Sequence, residues 1–121
     1  MSAEVTMAVC HSEELDDDAV LADLLAQADA RLDGRRADAC LLFMAMDFNH
    51  QVVLDGIRAR WPGIPLIGGT TDGEISGDLG FREDSAVLVV FSSDSIRFAA
   101  GVGDYSDGDM ARACREAVVQ A

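Results

Sequence analysis

The sequence predicts an α/β domain on a mixed five-stranded sheet, its first strands parallel with helical crossovers, followed by a C-terminal antiparallel hairpin and three helices in all. Three observations carry this expectation. Short apolar runs alternate with segments of helical period through the first half of the chain, the pattern of strand–helix–strand crossovers. Two runs, Ala39 to Met46 and Ser85 to Phe91, are apolar almost without a break, as in strands covered on both faces. After the second, the polar Ser92-Ser93-Asp94-Ser95 leads into a segment in which Ile96, Phe98, Ala100 and Val102 alternate with Arg97, Ala99, Gly101 and Gly103, the two-residue period of a half-buried strand.

Taken in order, Val5 to Cys10 reads as the first strand. Val20, Leu21, Leu24, Leu25, Ala28 and Leu32 then follow the spacing of one helical face, with Ser12 or Asp16 as cap and Gly34 as stop. Asp16, Asp17 and Asp18 suit the positive end of a helix dipole better than a metal ion. The strand Ala39 to Met46 ends at Asp47-Phe48-Asn49, and a helix from His50 to Trp61 buries Val53, Leu54, Ile57 and Trp61 before Pro62-Gly63 stops it. The strand Pro65 to Gly68 empties into a glycine-rich turn, Gly68 to Ser76. Glu74 to Asp84 has no clear period and reads as a loop or ragged edge with Leu79 and Phe81 tucked against something. A last helix begins at Asp107, with Met110, Ala113, Cys114, Ala117 and Val118 as its stripe, and reaches the C-terminus without a stop signal.

With 121 residues, half of them hydrophobic, the chain reads as a single domain, 1–121, able to build a core without staples. Asp and Glu number 22 against nine arginines and no lysine, a formal charge of -13 that repels nucleic acid and anionic lipid. No run is long and apolar enough to span a membrane, and the first residues lack the form of a signal peptide. Cys10, Cys40 and Cys114 have no zinc or redox spacing and read as reduced core residues of a cytoplasmic protein.

Ligands of open α/β sheets bind where the carboxyl ends of parallel strands gather. Three turns qualify: one holding His11, one holding Asp47, Asn49 and His50, and the glycine-rich turn. Cys10 and His11 are adjacent on a strand and point to opposite faces, which leaves Cys10 with His50 as the only cysteine–histidine nucleophile to consider, and a core cysteine is the simpler reading. Asp47 resembles the phospho-acceptor of a receiver domain, but the acidic pair after the first strand and the lysine are missing. The turn lacks both the P-loop and the dinucleotide fingerprint, and Asp72 and Glu74 oppose a phosphate. Free N–H groups beside carboxylates and hydroxyls suit a zwitterion. The alternative is a turn that only redirects the chain.

The run Ile67-Gly68-Gly69-Thr70-Thr71-Asp72-Gly73-Glu74-Ile75 resembles a motif of the FIST family, F-box and intracellular signal transduction proteins, of the form I-G-C-[ST]-[ST]-A-G-E-I. The approach is similar too, with Cys40 to Met46, Trp61-Pro62-Gly63-Ile64-Pro65 and Val87 to Phe91 in the corresponding order. Gly69 stands where the family often has cysteine and Asp72 where it often has alanine. The resemblance implies a bacterial sensory module that binds amino acids or similar metabolites, and a chain that is a fragment or a reduced version of the N-terminal FIST domain, shortened at its C-terminal end. The site expected is Gly68, Gly69, Thr70, Thr71, Asp72, Gly73, Glu74 and Ser76, walled by His11, Asp47, Asn49 and His50. The expectation is of no catalytic residue, metal or cofactor. An output domain or protein, or a second copy, is the expected macromolecular partner, and a self-association module without its own ligand is the alternative function.

Overall fold

A computed structural model describes residues 4–121. Its elements are β1 (Val5–Ser12), α1 (Asp17–Leu32), β2 (Ala39–Ala45), α2 (His50–Arg60), β3 (Leu66–Thr71), β4 (Glu74–Ser76), β5 (Gly80–Arg82), β6 (Ala86–Ser93) and α3 (Met110–Gln120). The α/β class, the mixed sheet and the three helices match expectation. A four-stranded sheet has the order β1-β6-β2-β3, and β4 and β5 form a separate two-stranded sheet.

β3 pairs with β2 in parallel, while β6 is antiparallel to both of its neighbours, β1 and β2. The first three strands therefore point the same way, and their carboxyl ends share one edge. β6 separates β1 from β2, so the turn after β1 stands one strand farther from the other two than simple sequential pairing implies.

α1 and α2 pack together on one face of the sheet. Val20, Leu24 and Ala28 of α1 and Val53 and Ile57 of α2 are fully buried against Cys10, Cys40, Leu88 and Val90. Each such side chain contributes about 1.5–3 kcal/mol when large and aliphatic, which makes this layer the main source of stability. Asp16 caps α1, its carboxylate accepting from the Ala19 N–H at 3.1 Å. Asp17 accepts from the Asn49 N–H at 2.9 Å and so ties the starts of the two helices together. The helix ends with Asp33 and Gly34 both at positive φ, 50° and 79°.

Two expectations for the second half are corrected. Residues 96–103 do not form a strand, and β6 instead takes β1 and β2 as its antiparallel partners. The alternating pattern there has a different cause. A Cβ on Gly101 would stand 1.9 Å from the Ala117 carbonyl oxygen, and one on Gly103 1.8 Å from that of Ala113, so the glycines let an extended segment lie against the backbone of α3. Glu74 to Asp84, expected to be a loop or ragged edge, contains the regular β4–β5 hairpin. Phe81, expected to be tucked against something, is 56% exposed, with its ring lying over Gly73. Cys10 and Cys40 are core residues, but Cys114 is exposed on α3.

Candidate functional site

The expected site residues separate into two groups, one buried and one open. The buried group centres on His11, whose backbone belongs to β1 and whose side chain is 3% exposed. Its Nδ1 lies 2.7 Å from Ser76 Oγ and its Nε2 2.9 Å from Ser85 Oγ. The Ser85 hydroxyl donates to one oxygen of Glu74, and the Thr71 hydroxyl donates to the other. The Leu79 N–H donates to Ser76 Oγ at 3.1 Å.

For the neutral imidazole, proton counting assigns the tautomer. Ser85 has spent its one hydrogen on Glu74, so it must accept from Nε2–H, which leaves Nδ1 to accept from Ser76. Every polar atom is then satisfied. Desolvation by burial lowers the His11 pKa, outweighing the opposite pull of Glu74, Glu13 and Asp78, and Arg82 lowers it further. The contact order differs from a nucleophile–base–acid triad, because the carboxylate reaches the imidazole only through Ser85. What the network does is hold the β4–β5 hairpin onto β1 and β6 by its polar side, while Ile75 and Phe81 face outward.

The open group lines a cleft of about 310 Å³ between β3 and α2. β3 ends the sheet, so among the described residues the outward backbone groups of one side of Leu66–Thr71 have no strand partner. Gly68 and Gly69 give the cleft a wall of bare backbone. A Cβ at Gly68 would stand 1.7 Å from the Leu42 carbonyl oxygen, so no side chain fits there. Facing this wall are His50, Leu54 and Arg58, four residues apart on α2 and therefore on one stripe of the helix. Leu42 and Met44 form the apolar floor and Thr70 adds a hydroxyl. His50 Nε2 donates to the Ala45 carbonyl at 2.9 Å, which fixes the ring beside the cleft. Among the described residues Arg58 has no carboxylate within ion-pair distance, so its guanidinium is available to a guest.

Gly68, Gly69, Thr70 and His50 thus meet at the cleft, whereas His11, Thr71, Glu74 and Ser76 are committed to the network. Glu74 points inward and is not open to a ligand amine. Asp72 and Asp47 are exposed, Gly73 is covered by Phe81, and Asn49 serves as the N-cap position of α2. Cys10 is fully buried, with burial pushing its thiol up to about 11, and it does not hydrogen-bond His50. Sequence reasoning missed Arg58 and Ser85. The spacing of Arg58 from His50 along a predicted helix was a usable signal, and Ser85 gave none.

The model of the FIST N domain matches residues 38–121. The chain belongs to the FIST family. No curated protein matches it. The matched span runs from β2 through α3 and contains every residue of the FIST cleft between β3 and α2, as well as Glu74, Ser76 and Ser85. His11 lies before it, so the β1 strand supplies the imidazole of the buried network from outside the matched FIST segment. FIST domains are sensory domains of signal transduction, and that general role extends to this chain.

Proposed function

We propose that the chain is a non-enzymatic sensory domain that binds a small amino-acid-like metabolite in the cleft between β3 and α2. The observation that carries this reading is the juxtaposition of bare backbone at Gly68 and Gly69 with the Arg58 guanidinium across about 310 Å³ of largely apolar space. The size lies at the lower end of small-molecule pockets, which run from about 300 to 1,000 Å³. Arg58 pairs with the ligand carboxylate, the outward carbonyls of β3 and the Thr70 hydroxyl accept from its amino group, and Leu42, Met44 and Leu54 take an aliphatic side chain. Binding then acts on the position of α2 relative to the sheet edge, which is the signal passed to an output partner.

Melting temperature in the presence of each common amino acid tests this. A ligand at about 100 times its Kd stabilises the folded state by about 2.7 kcal/mol. At least one amino acid is expected to raise the melting temperature at millimolar concentration, and Arg58→Ala to abolish the rise. No rise with any of them removes the amino-acid reading.

A second reading is an interaction module. Val5, Met7 and Ile67 are exposed on the sheet face away from α1 and α2, and Ile75 and Phe81 are exposed on the hairpin. Such patches mark interaction surfaces when contiguous. Sedimentation at high concentration separates the two readings: a strict monomer opposes self-association.

A further inference from the structure

The larger cavity, of about 610 Å³, lies at the opposite end of the domain, where β2 and β3 begin and α1 and α2 end. Three of the nine arginines, Arg35, Arg36 and Arg60, line it together with Trp61, the one tryptophan. Part of this gathering is structural, because cations are stabilised beside the carbonyls that end a helix. Arg35 donates to the Leu32 carbonyl at 3.1 Å, Arg36 pairs with Asp38 at 2.5 Å and Arg60 with Asp29 at 2.6 Å.

Those contacts use only a fraction of the donors. Each guanidinium carries five N–H groups in a planar fork suited to an oxyanion. Three arginines against two aspartates leave the lining net positive in a chain whose formal charge is -13. A locally positive lining offsets the repulsion that the net negative charge exerts on an anion. Trp61 adds a flat apolar surface, with the Arg60 guanidinium carbon 5.5 Å from the ring centroid.

We propose that this cleft is a second binding site, taking a small metabolite that carries an oxyanion, phosphate or carboxylate, on a flat ring. The oxyanion bridges Arg35 and Arg60 and the ring lies against Trp61. The site shares no lining residue with the cleft between β3 and α2, so either stands if the other fails.

Trp61, the one tryptophan of the chain, lines this site, and loss of its fluorescence response in the Arg35 and Arg60 variants separates binding here from a movement of α2 caused by binding at the other cleft. The full chain is titrated at constant ionic strength with adenosine monophosphate, with benzoate and with uncharged adenosine. A saturable change below about 10 mM is expected with the first, the second or both, weakened about tenfold or more by Arg60→Gln and by Arg35→Gln. The Arg82→Gln variant, on β5 and paired with Glu13, should titrate as the unaltered chain does. Response to the nucleotide alone assigns phosphate, and response to benzoate alone assigns carboxylate. Both glutamine variants alter exposed side chains, and circular dichroism melting checks that each is folded. Saturation by neither anion overturns the proposal, as does adenosine binding as well as its monophosphate, or unchanged affinity in both variants.

Discussion

Two neighbouring glycines in β3 should respond in opposite directions to the same substitution. In Gly68→Ala the new Cβ would stand 1.7 Å from the Leu42 carbonyl oxygen, 2.6 Å from its carbonyl carbon and 2.9 Å from its nitrogen. All three are backbone atoms of the central strand β2, so no rotamer change relieves the overlap and β3 must move outward. Overpacking costs about 1–3 kcal/mol, and a rigid backbone neighbour places this case at the upper end. Each ladder hydrogen bond weakened by the movement adds up to about 1 kcal/mol, while replacing a strand glycine returns about 0.5–1 kcal/mol. The net expectation is a loss of about 2–3 kcal/mol, or roughly 10 °C in melting temperature for a domain of this size. Gly69 has nothing within 4 Å of its added Cβ and does not have positive φ. Gly69→Ala should therefore stabilise by about 0.4–1 kcal/mol through the unfolded chain. Urea and thermal unfolding of the two variants and the parent measure both values. If Gly68→Ala melts at or above Gly69→Ala, the close approach of β3 to β2 is not as described.

Three further outcomes follow from the buried groups. His11 has a lowered pKa, so the unfolded chain binds more protons between the two values; stability is complete above the unfolded value of 6.5 and falls as pH drops through it toward the folded value. His11→Asn should flatten that slope, which has a ceiling of about 1.4 kcal/mol per pH unit, and parallel curves for the two proteins would show that another group is responsible. Glu74→Ala leaves the Ser85 and Thr71 hydroxyls without their acceptor, at a cost of about 1–3 kcal/mol, and should speed hydrogen exchange in β4 and β5 selectively. Glu74→Gln should restore part of the protection, because its amide oxygen accepts from the Ser85 hydroxyl while its N–H₂ donates to Thr71, whose hydroxyl accepts as well as donates. Of the three thiols, Cys114 should react quickly with a disulfide reagent in the folded protein, whereas burial holds Cys10 and Cys40 at about 11 and about 12 and both should react only in urea. Rapid labelling of two thiols in the folded state would contradict the burial of the β1–β2 core.

Local patterns determined most of the elements. The apolar stripes of α1 and α2, the doubly apolar β2 and β6, and the stops at Gly34 and Pro62-Gly63 are consequences of periodicity and backbone restriction, which neighbouring residues settle among themselves. The motif from Ile67 to Ile75 was enough to indicate the FIST family, and residues 38–121 match its N domain. Pairing was not legible in the same way. Whether β6 takes its partners from β1 and β2 or from residues 96–103 depends on register and on what lies beside α3. The glycines at 101 and 103 give an alternating sequence for either outcome.

The site divided along the same line. Composition identified Gly68 to Ser76 as the unusual stretch, with its hydroxyls, carboxylates and absent side chains. Only tertiary structure decided which residues face the cleft, because alternate positions on a strand turn to opposite sides and the opposing surfaces come from distant elements. Gly68, Gly69 and Thr70 meet α2 across open space, while Thr71, Glu74 and Ser76 meet His11 and Ser85 and are consumed in holding the hairpin. A carboxylate that looks available in sequence is buried here, and the cation opposite the motif comes from a helix stripe ending at Arg58. Sequence specified the chemistry that the chain carries; the placement of β3 at the sheet edge, across the cleft from α2, decided which part of it reaches solvent.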